Sequence, residues 1–106
     1  MINKKILGLI GLSARARRVC FGADSVEMQI KKRKVYILII SKEASNRTKE
    51  KFMNLSKEYD IPVIIAGEID ELSKAIGKSN KAVIGIEDRN LSKEIKKISD
   101  GGEVIG

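Results

Sequence analysis

Apolar positions along this chain alternate between a helical and an extended rhythm. Residues 4–16 carry Ile6, Leu7, Leu9, Ile10 and Leu12 on one broad face and end in the basic stretch Arg15-Ala16-Arg17-Arg18, which suits a helix C-terminus. Val19-Cys20-Phe21 predicts a short strand, broken by Gly22. Residues 23–32 then space Val26 and Ile30 one turn apart, with acids early and lysines late, and predict a second helix. The run Val35-Tyr36-Ile37-Leu38-Ile39-Ile40 is β-branched and too short for a buried helix, so it predicts a central strand covered on both faces.

The same alternation continues to the end. Ala44, Thr48, Phe52, Leu55 and Tyr59 form one stripe over residues 44–59 and predict a longer helix ending near Asp60. Pro62 opens a strand, Val63-Ile64-Ile65-Ala66, at a position where a missing ladder donor is tolerable. Ile69, Leu72, Ala75 and Ile76 mark a helix stopped by Gly77. Ala82-Val83-Ile84-Gly85-Ile86 is a fourth strand, and Leu91, Ile95 and Ile98 define a last helix. Helices alternating with strands across short connections predict an α/β domain with a largely parallel sheet between helical layers. We assign residues 1–98 to this single domain and expect residues 99–106 to form a flexible C-terminal tail.

Composition sharpens the picture of the partner. A net charge of +7 over 106 residues points to a polyanion or an anionic membrane surface. The excess is local: residues 1–51 hold 13 Lys/Arg against 4 Asp/Glu, and residues 52–106 hold 8 against 10. One side of the fold is therefore expected to be electropositive. The N-terminal apolar run is short, contains two glycines and leads into arginines, which argues against a signal peptide and for a core helix in a cytoplasmic protein. No run approaches the roughly 20 apolar residues of a membrane span.

Candidate chemistry is sparse. The chain has no His and a lone Cys20, which excludes the usual zinc spacings, a Ser/His or Cys/His catalytic pair and an intramolecular disulfide. Neither a metal nor a cofactor is expected, and no enzymatic activity. Cys20, between Val19 and Phe21, reads as a small buried hydrophobe. Gly8-Leu9-Ile10-Gly11 has the spacing of a GxxG phosphate clamp, but its centre is apolar and lies within the helical period. Glu87-Asp88 reads as a strand exit and helix cap. Two basic clusters, Arg15 to Arg18 and Lys31-Lys32-Arg33-Lys34, are either solvated helix ends or phosphate contacts. Gly22 is the most informative position, because a glycine between a strand and a helix start allows close backbone approach and aims N–H groups at an anion. Asp24 and Ser25 read first as capping residues; acceptance of hydrogen bonds from base edges is the other reading.

Four stretches also resemble a known family: Ile10-Gly11-Leu12-Ser13-Ala14-Arg15-Ala16, Ile39-Ile40-Ser41-Lys42-Glu43-Ala44-Ser45, Tyr59-Asp60-Ile61-Pro62-Val63 and Glu71-Leu72-Ser73-Lys74-Ala75-Ile76-Gly77-Lys78. Together, in order across residues 6–98, they are similar to the bacterial YlxQ-type proteins of the kink-turn-binding superfamily, which includes large-subunit ribosomal proteins of archaea and eukaryotes. The resemblance implies a three-layer α/β/α sandwich with a mixed four-stranded sheet. It implies RNA binding on one rim, here Gly22, Ala23, Asp24 and Ser25, the loop Ser41-Lys42-Glu43, and the loop Lys78-Ser79-Asn80-Lys81-Ala82. The best kink-turn binders follow the glycine with Ala or Thr, then Asn and Glu, and place Lys three residues after that Glu; this chain has Asp24, Ser25 and Met28 there.

The function expected is thus non-catalytic recognition of structured RNA, kink-turn-like or ribosomal. Asp24 and Ser25 would meet bases, the loop containing Asn80, Lys81 and Ala82 would pack on an exposed base, and Lys31, Lys42 and Lys78 would meet phosphates. The alternative is a protein-interaction module of the translation apparatus, binding ribosomal or translation-factor proteins through its helix faces.

Overall fold

The computed structural model of the protein describes residues 2–101. Nine elements alternate in order: α1 (Lys4–Arg15), β1 (Val19–Phe21), α2 (Ala23–Lys31), β2 (Ile37–Ile40), α3 (Asn46–Tyr59), β3 (Val63–Ile65), α4 (Ile69–Ala75), β4 (Val83–Ile86) and α5 (Arg89–Ser99). Helix starts are set by short polar side chains that satisfy first-turn amides. Asn3 Oδ1 accepts from Lys5 N at 2.7 Å, Ser45 Oγ from Thr48 N at 3.1 Å, and Asp88 Oδ1 from Leu91 N at 2.8 Å. Asp60 ends α3 in the left-handed region, and Gly77 follows α4 with φ 69°. Of the expected tail, Ser99 belongs to α5 and Asp100 caps it; residues 102–106 lie outside the described residues.

The strands form one sheet in the order β1-β4-β2-β3. Only β2 and β3 are parallel; β4 lies antiparallel to both β1 and β2. The largely parallel sheet predicted from element alternation is therefore corrected to the mixed four-stranded sheet. Its cause lies in the connection through α4. The chain leaves β3 at Ile65 beside Ile40, and enters β4 at Val83, also beside Ile40. With only seven residues, roughly 10 Å of helix, α4 never carries the chain back to the other end. Alternation of helix and strand does not encode which end of the sheet is re-entered.

Successive residues of β2 feed opposite layers, as the strand period of two requires. Leu38 and Ile40 join Val26, Ile30, Phe52 and Leu55 under α2 and α3. Ile37 and Ile39 join Ile6, Ile10, Leu72, Ile84, Ile86 and Ile95 under α1, α4 and α5. Both faces are covered, which is why the strand reads as an unbroken apolar run. Among the described residues, no helix is long and apolar enough to cross a membrane.

Gly85 shows how closely β1 and β4 pack against this interior. A Cβ there would stand 2.7 Å from Cys20 Sγ and 3.1 Å from Val35 Cγ2. Cys20 is itself buried, and burial, followed by the nearby Glu87 carboxylate, pushes its thiol up to about 12. It stays protonated and serves as a packed hydrophobe. Gly85→Ala is expected to destabilise the domain by about 1–3 kcal/mol through overpacking, and Cys20→Ala in the same chain should recover much of the loss. Urea midpoints of the single and double variants test this; an unchanged midpoint for Gly85→Ala would mean the two strands leave more room than the structure assigns.

Candidate nucleic-acid interface

One end of the sheet gathers the C-terminal ends of β1, β2 and β3 with the start of β4. Gly22 N donates to Val83 O at 3.1 Å, Ser41 N to Ala82 O at 2.8 Å, Lys42 N to Gly67 O at 3.0 Å, and Ala66 N to Ile40 O at 3.0 Å. These bonds bring the start of α2, the loop after β2 and the loop before β4 onto a single rim. Gly22, Ala23, Asp24, Ser25, Lys42, Lys78, Asn80, Lys81 and Ala82 are thereby neighbours of one surface.

Buried hydroxyls hold the two loops. Ser41 Oγ donates to Gly67 O at 2.9 Å and accepts from Glu43 N at 3.0 Å. Ser73 Oγ accepts from Lys81 N at 2.8 Å and donates to Lys81 O at 3.3 Å. Both serines are inaccessible to solvent or nearly so, so each polar atom they satisfy would otherwise be an expensive orphan. Lys42 O accepts from Lys49 Nζ at 2.7 Å, and Glu43 Oε1 accepts from Ile69 N at 2.8 Å. The loop before β4 also turns through Asn80 at φ 55°, a left-handed conformation that Asn adopts more readily than most residues.

Gly22 is the N-cap of α2, with φ 85° and ψ 147° and no side chain to cap it. A Cβ at this position would meet nothing within 4 Å. The constraint is thus the backbone angle, which L side chains rarely adopt, while the space beside the glycine stays open. Asp24 and Ser25 sit exposed in the first turn, and neither side chain caps the helix. Their reading as capping residues is corrected: the cap position falls on Gly22, which leaves Asp24 and Ser25 two and three residues inside the helix, with no side-chain cap hydrogen bond. Among the described residues, nothing accepts from the amides of Ala23, Asp24 or Ser25. Three free donors and the positive end of the helix dipole face outward here.

Lys31 does not join this rim. It closes α2 at the far end, roughly 13 Å along the axis from Gly22 at 1.5 Å per residue. There Glu27 receives Lys31 Nζ at 3.1 Å and Lys51 Nζ at 2.7 Å. Hydrogen bonds from Lys51 and then Lys31 hold the Glu27 carboxyl below its ordinary value, and Glu27 in turn raises the Lys31 ammonium.

Phe21 is the rim residue that sequence reasoning missed. Lys78 Nζ lies 5.3 Å and Lys81 Nζ 5.6 Å from its ring centroid, within cation–π range. The ring gathers two lysines from a loop more than fifty positions away. An aromatic residue ending a strand directly before the glycine was the available signal. Met28 lies one turn below Asp24 and is 54% exposed. No cluster of three or more potential metal-ligating His, Cys, Asp or Glu occurs among the described residues.

Comparisons with known proteins agree with this architecture. The model of the ribosomal protein L7Ae/L30e/S12e/Gadd45 family matches residues 4–96. The RNA-binding protein YlxQ of Enterococcus faecium is 32% identical over 99 residues, covering 93% of this chain and 95% of its own. RNA-binding protein YlxQ of Bacillus subtilis is 26% identical over 92 residues, covering 87% and 92%. Among solved structures, a Bacillus halodurans protein of unknown function superposes with a TM-score of 0.88 at 35% identity, over 92% of this chain and 99% of its own. The 15.5 kD RNA binding protein of Giardia lamblia shares the fold, with a TM-score of 0.79 at 18% identity over 95% and 92% of the two chains.

Proposed function

This chain belongs to the ribosomal protein L7Ae/L30e/S12e/Gadd45 family, and on that premise we propose that it is a non-catalytic protein of the cytoplasm that binds structured RNA, kink-turn-like or ribosomal, at the rim led by Gly22. The observation that carries the reading is the convergence of three loops on one end of the sheet, fixed by the Gly22–Val83 and Ser41–Ala82 hydrogen bonds. The RNA backbone approaches in the open space beside Gly22. The free amides of the first turn of α2 receive a phosphate, as helix N-termini do. Asp24 and Ser25 accept from or donate to base edges, and the Asn80, Lys81 and Ala82 segment packs on an exposed base. Lys42 and Lys78 neutralise phosphates, which positions the RNA without reading its sequence. Lys31, at the other end of α2 and paired with Glu27, has no part in this contact.

Names of the two relatives as RNA-binding proteins support the reading. The absence of His from the chain and the protonated, buried thiol of Cys20 leave little for catalysis to use. A protein partner from the translation apparatus is the second reading. It is favoured by the groove between α1 and α5, of ≈ 680 Å³ and lined by Gly8, Leu9, Leu12 and Ile98, in which Leu12 is 45% exposed.

A filter-binding titration of total cellular RNA across a salt series tests the first reading. Affinity should fall log-linearly with salt, with a slope of about −0.7 to −0.9 per phosphate contact. Exchanging Lys42 and Lys78 for Glu together should flatten that slope by about two contacts while shifting stability by only about 0.5 kcal/mol, as exposed charge changes do. A salt-independent affinity, or an unchanged slope in the double variant, would remove the electrostatic basis of the rim and leave the protein-partner reading.

A further inference from the structure

We propose that the opposite end of the sheet is a second RNA surface, which stacks an unpaired base at Tyr36 and holds the flanking phosphates on Arg33, Lys34 and Arg89. This proposal shares with the one above only the premise that the partner is RNA; the RNA segment and the residues are different.

Tyr36 stands just before β2, 37% exposed. Its ring borders two hollows, one of ≈ 330 Å³ with Arg18, Arg33, Lys34 and Glu87, the other of ≈ 420 Å³ with Arg89, Lys93 and Lys96. Arg89 Cζ lies 5.5 Å from the Tyr36 centroid, and Arg33 Cζ lies 5.2 Å from that of Tyr59. Guanidinium groups set over phenol rings make the flat cationic shelf on which splayed RNA bases stack. Ser92 Oγ, buried at the edge of the second hollow, has no hydrogen-bond partner among the described residues.

Helix stability does not account for these cations. Arg89 opens α5, the end where the dipole disfavours positive charge. Arg17 and Arg33 both adopt left-handed backbone, at φ 58° and 59°, where Gly or Asn is the unstrained choice after a helix. One acid, Glu87, lines the first hollow, and its Oε2 accepts from Gln29 Nε2 at 2.6 Å; Asp88 caps α5. Among the described residues, Arg18, Arg33, Lys34 and Arg89 form no ion pair. Cations that form no ion pair and outnumber the one carboxylate of the hollow, set around an exposed ring, suit an unpaired strand better than an acidic protein, which offers no base to stack.

Fluorescence anisotropy with a labelled 12-nucleotide oligouridine, beside a kink-turn hairpin and polyglutamate at one salt concentration, tests the proposal. Tyr36→Leu, and Arg33→Glu with Lys34→Glu, should each weaken oligouridine binding about tenfold or more. Tyr36→Phe should retain it, because the ring is kept and the fold burdened equally. The Lys42→Glu, Lys78→Glu chain should bind oligouridine like the parent and lose the hairpin. A parent that binds the hairpin but not oligouridine overturns this surface alone, as does oligouridine binding indifferent to Tyr36→Leu. Failure to bind either RNA removes both readings, and polyglutamate binding as tight as oligouridine assigns an acidic protein instead.

Discussion

Phe52→Ala is expected to destabilise the protein by about 3–5 kcal/mol, the range for removing a buried aromatic ring. Phe52 is fully inaccessible and packs in the cluster that joins α2 and α3 to the sheet through Val26, Ile30, Leu38 and Ile40. Val26, Ile30, Leu38 and Ile40 around it are themselves fully inaccessible, and a close-packed interior of this kind relaxes only partly into a vacated space. For a domain of about this size each kcal/mol shifts the melting temperature by roughly 4–8 °C, and the loss corresponds to roughly 12–40 °C. Since the same layer carries the start of α2, the rim should loosen along with the core. Phe52→Leu should cost less than Phe52→Ala, and Asn54→Ala, two positions on at an exposed site, should stay within about 0.5 kcal/mol. Thermal melts followed by circular dichroism measure all three; a Phe52→Ala melt within a few degrees of the parent would show that this layer does not anchor the fold.

Phe52 also illustrates what local pattern reveals. Its place on a stripe with Leu55 and Tyr59 follows from helical spacing, and the helix around it forms where that spacing predicts. Direction and register do not follow in the same way. Gly85 reads as an interruption of a β-branched run, and only the pairing of β4 with both β1 and β2 reveals that Cys20 and Val35 fill the space its missing side chain leaves. Antiparallel insertion of β4 depends on where α4 returns the chain, a property of tertiary packing that no window of residues contains. The same limit applies to the rim. Gly22 was legible because a glycine between strand and helix is a local signal. Lys31 shares only its charge with Lys42 and Lys78; the eight residues of helix between it and Gly22 set it roughly 13 Å from the rim. Phe21 and its two lysines meet only because β1 pairs with β4.

The start of α2 is where specificity is expected to be most changeable. Asp24→Asn, Ser25→Glu and Met28→Lys, combined in one chain, would place amide, carboxylate and ammonium groups where the best kink-turn binders of the superfamily carry them. The three positions share one face, since Met28 follows Ser25 by three residues and Asp24 by four. All are exposed, Asp24 and Ser25 do not cap the helix, and a carboxylate in the first turn suits the dipole. The fold should therefore tolerate the exchange. Net charge rises by only one, from the loss of Asp24, the gain of a Glu and the gain of a Lys, so general attraction to phosphate changes little and equally for every RNA. Any change in the ratio of affinities must then come from base contacts. Each well-placed polar contact to a base edge is worth roughly 1–3 kcal/mol, by analogy with groove readout in DNA, and the three together should raise preference for a kink-turn over a matched duplex by about tenfold or more. Gly22→Val in the same background should abolish that gain, because a β-branched residue at φ 85° is strained and intrudes on the open space beside the helix start. Competition titration of parent, triple variant and quadruple variant against both RNAs at one salt concentration provides the ratios. If the parent and the triple variant show equal ratios, the start of α2 does not read RNA, and the weight passes to the protein-partner reading.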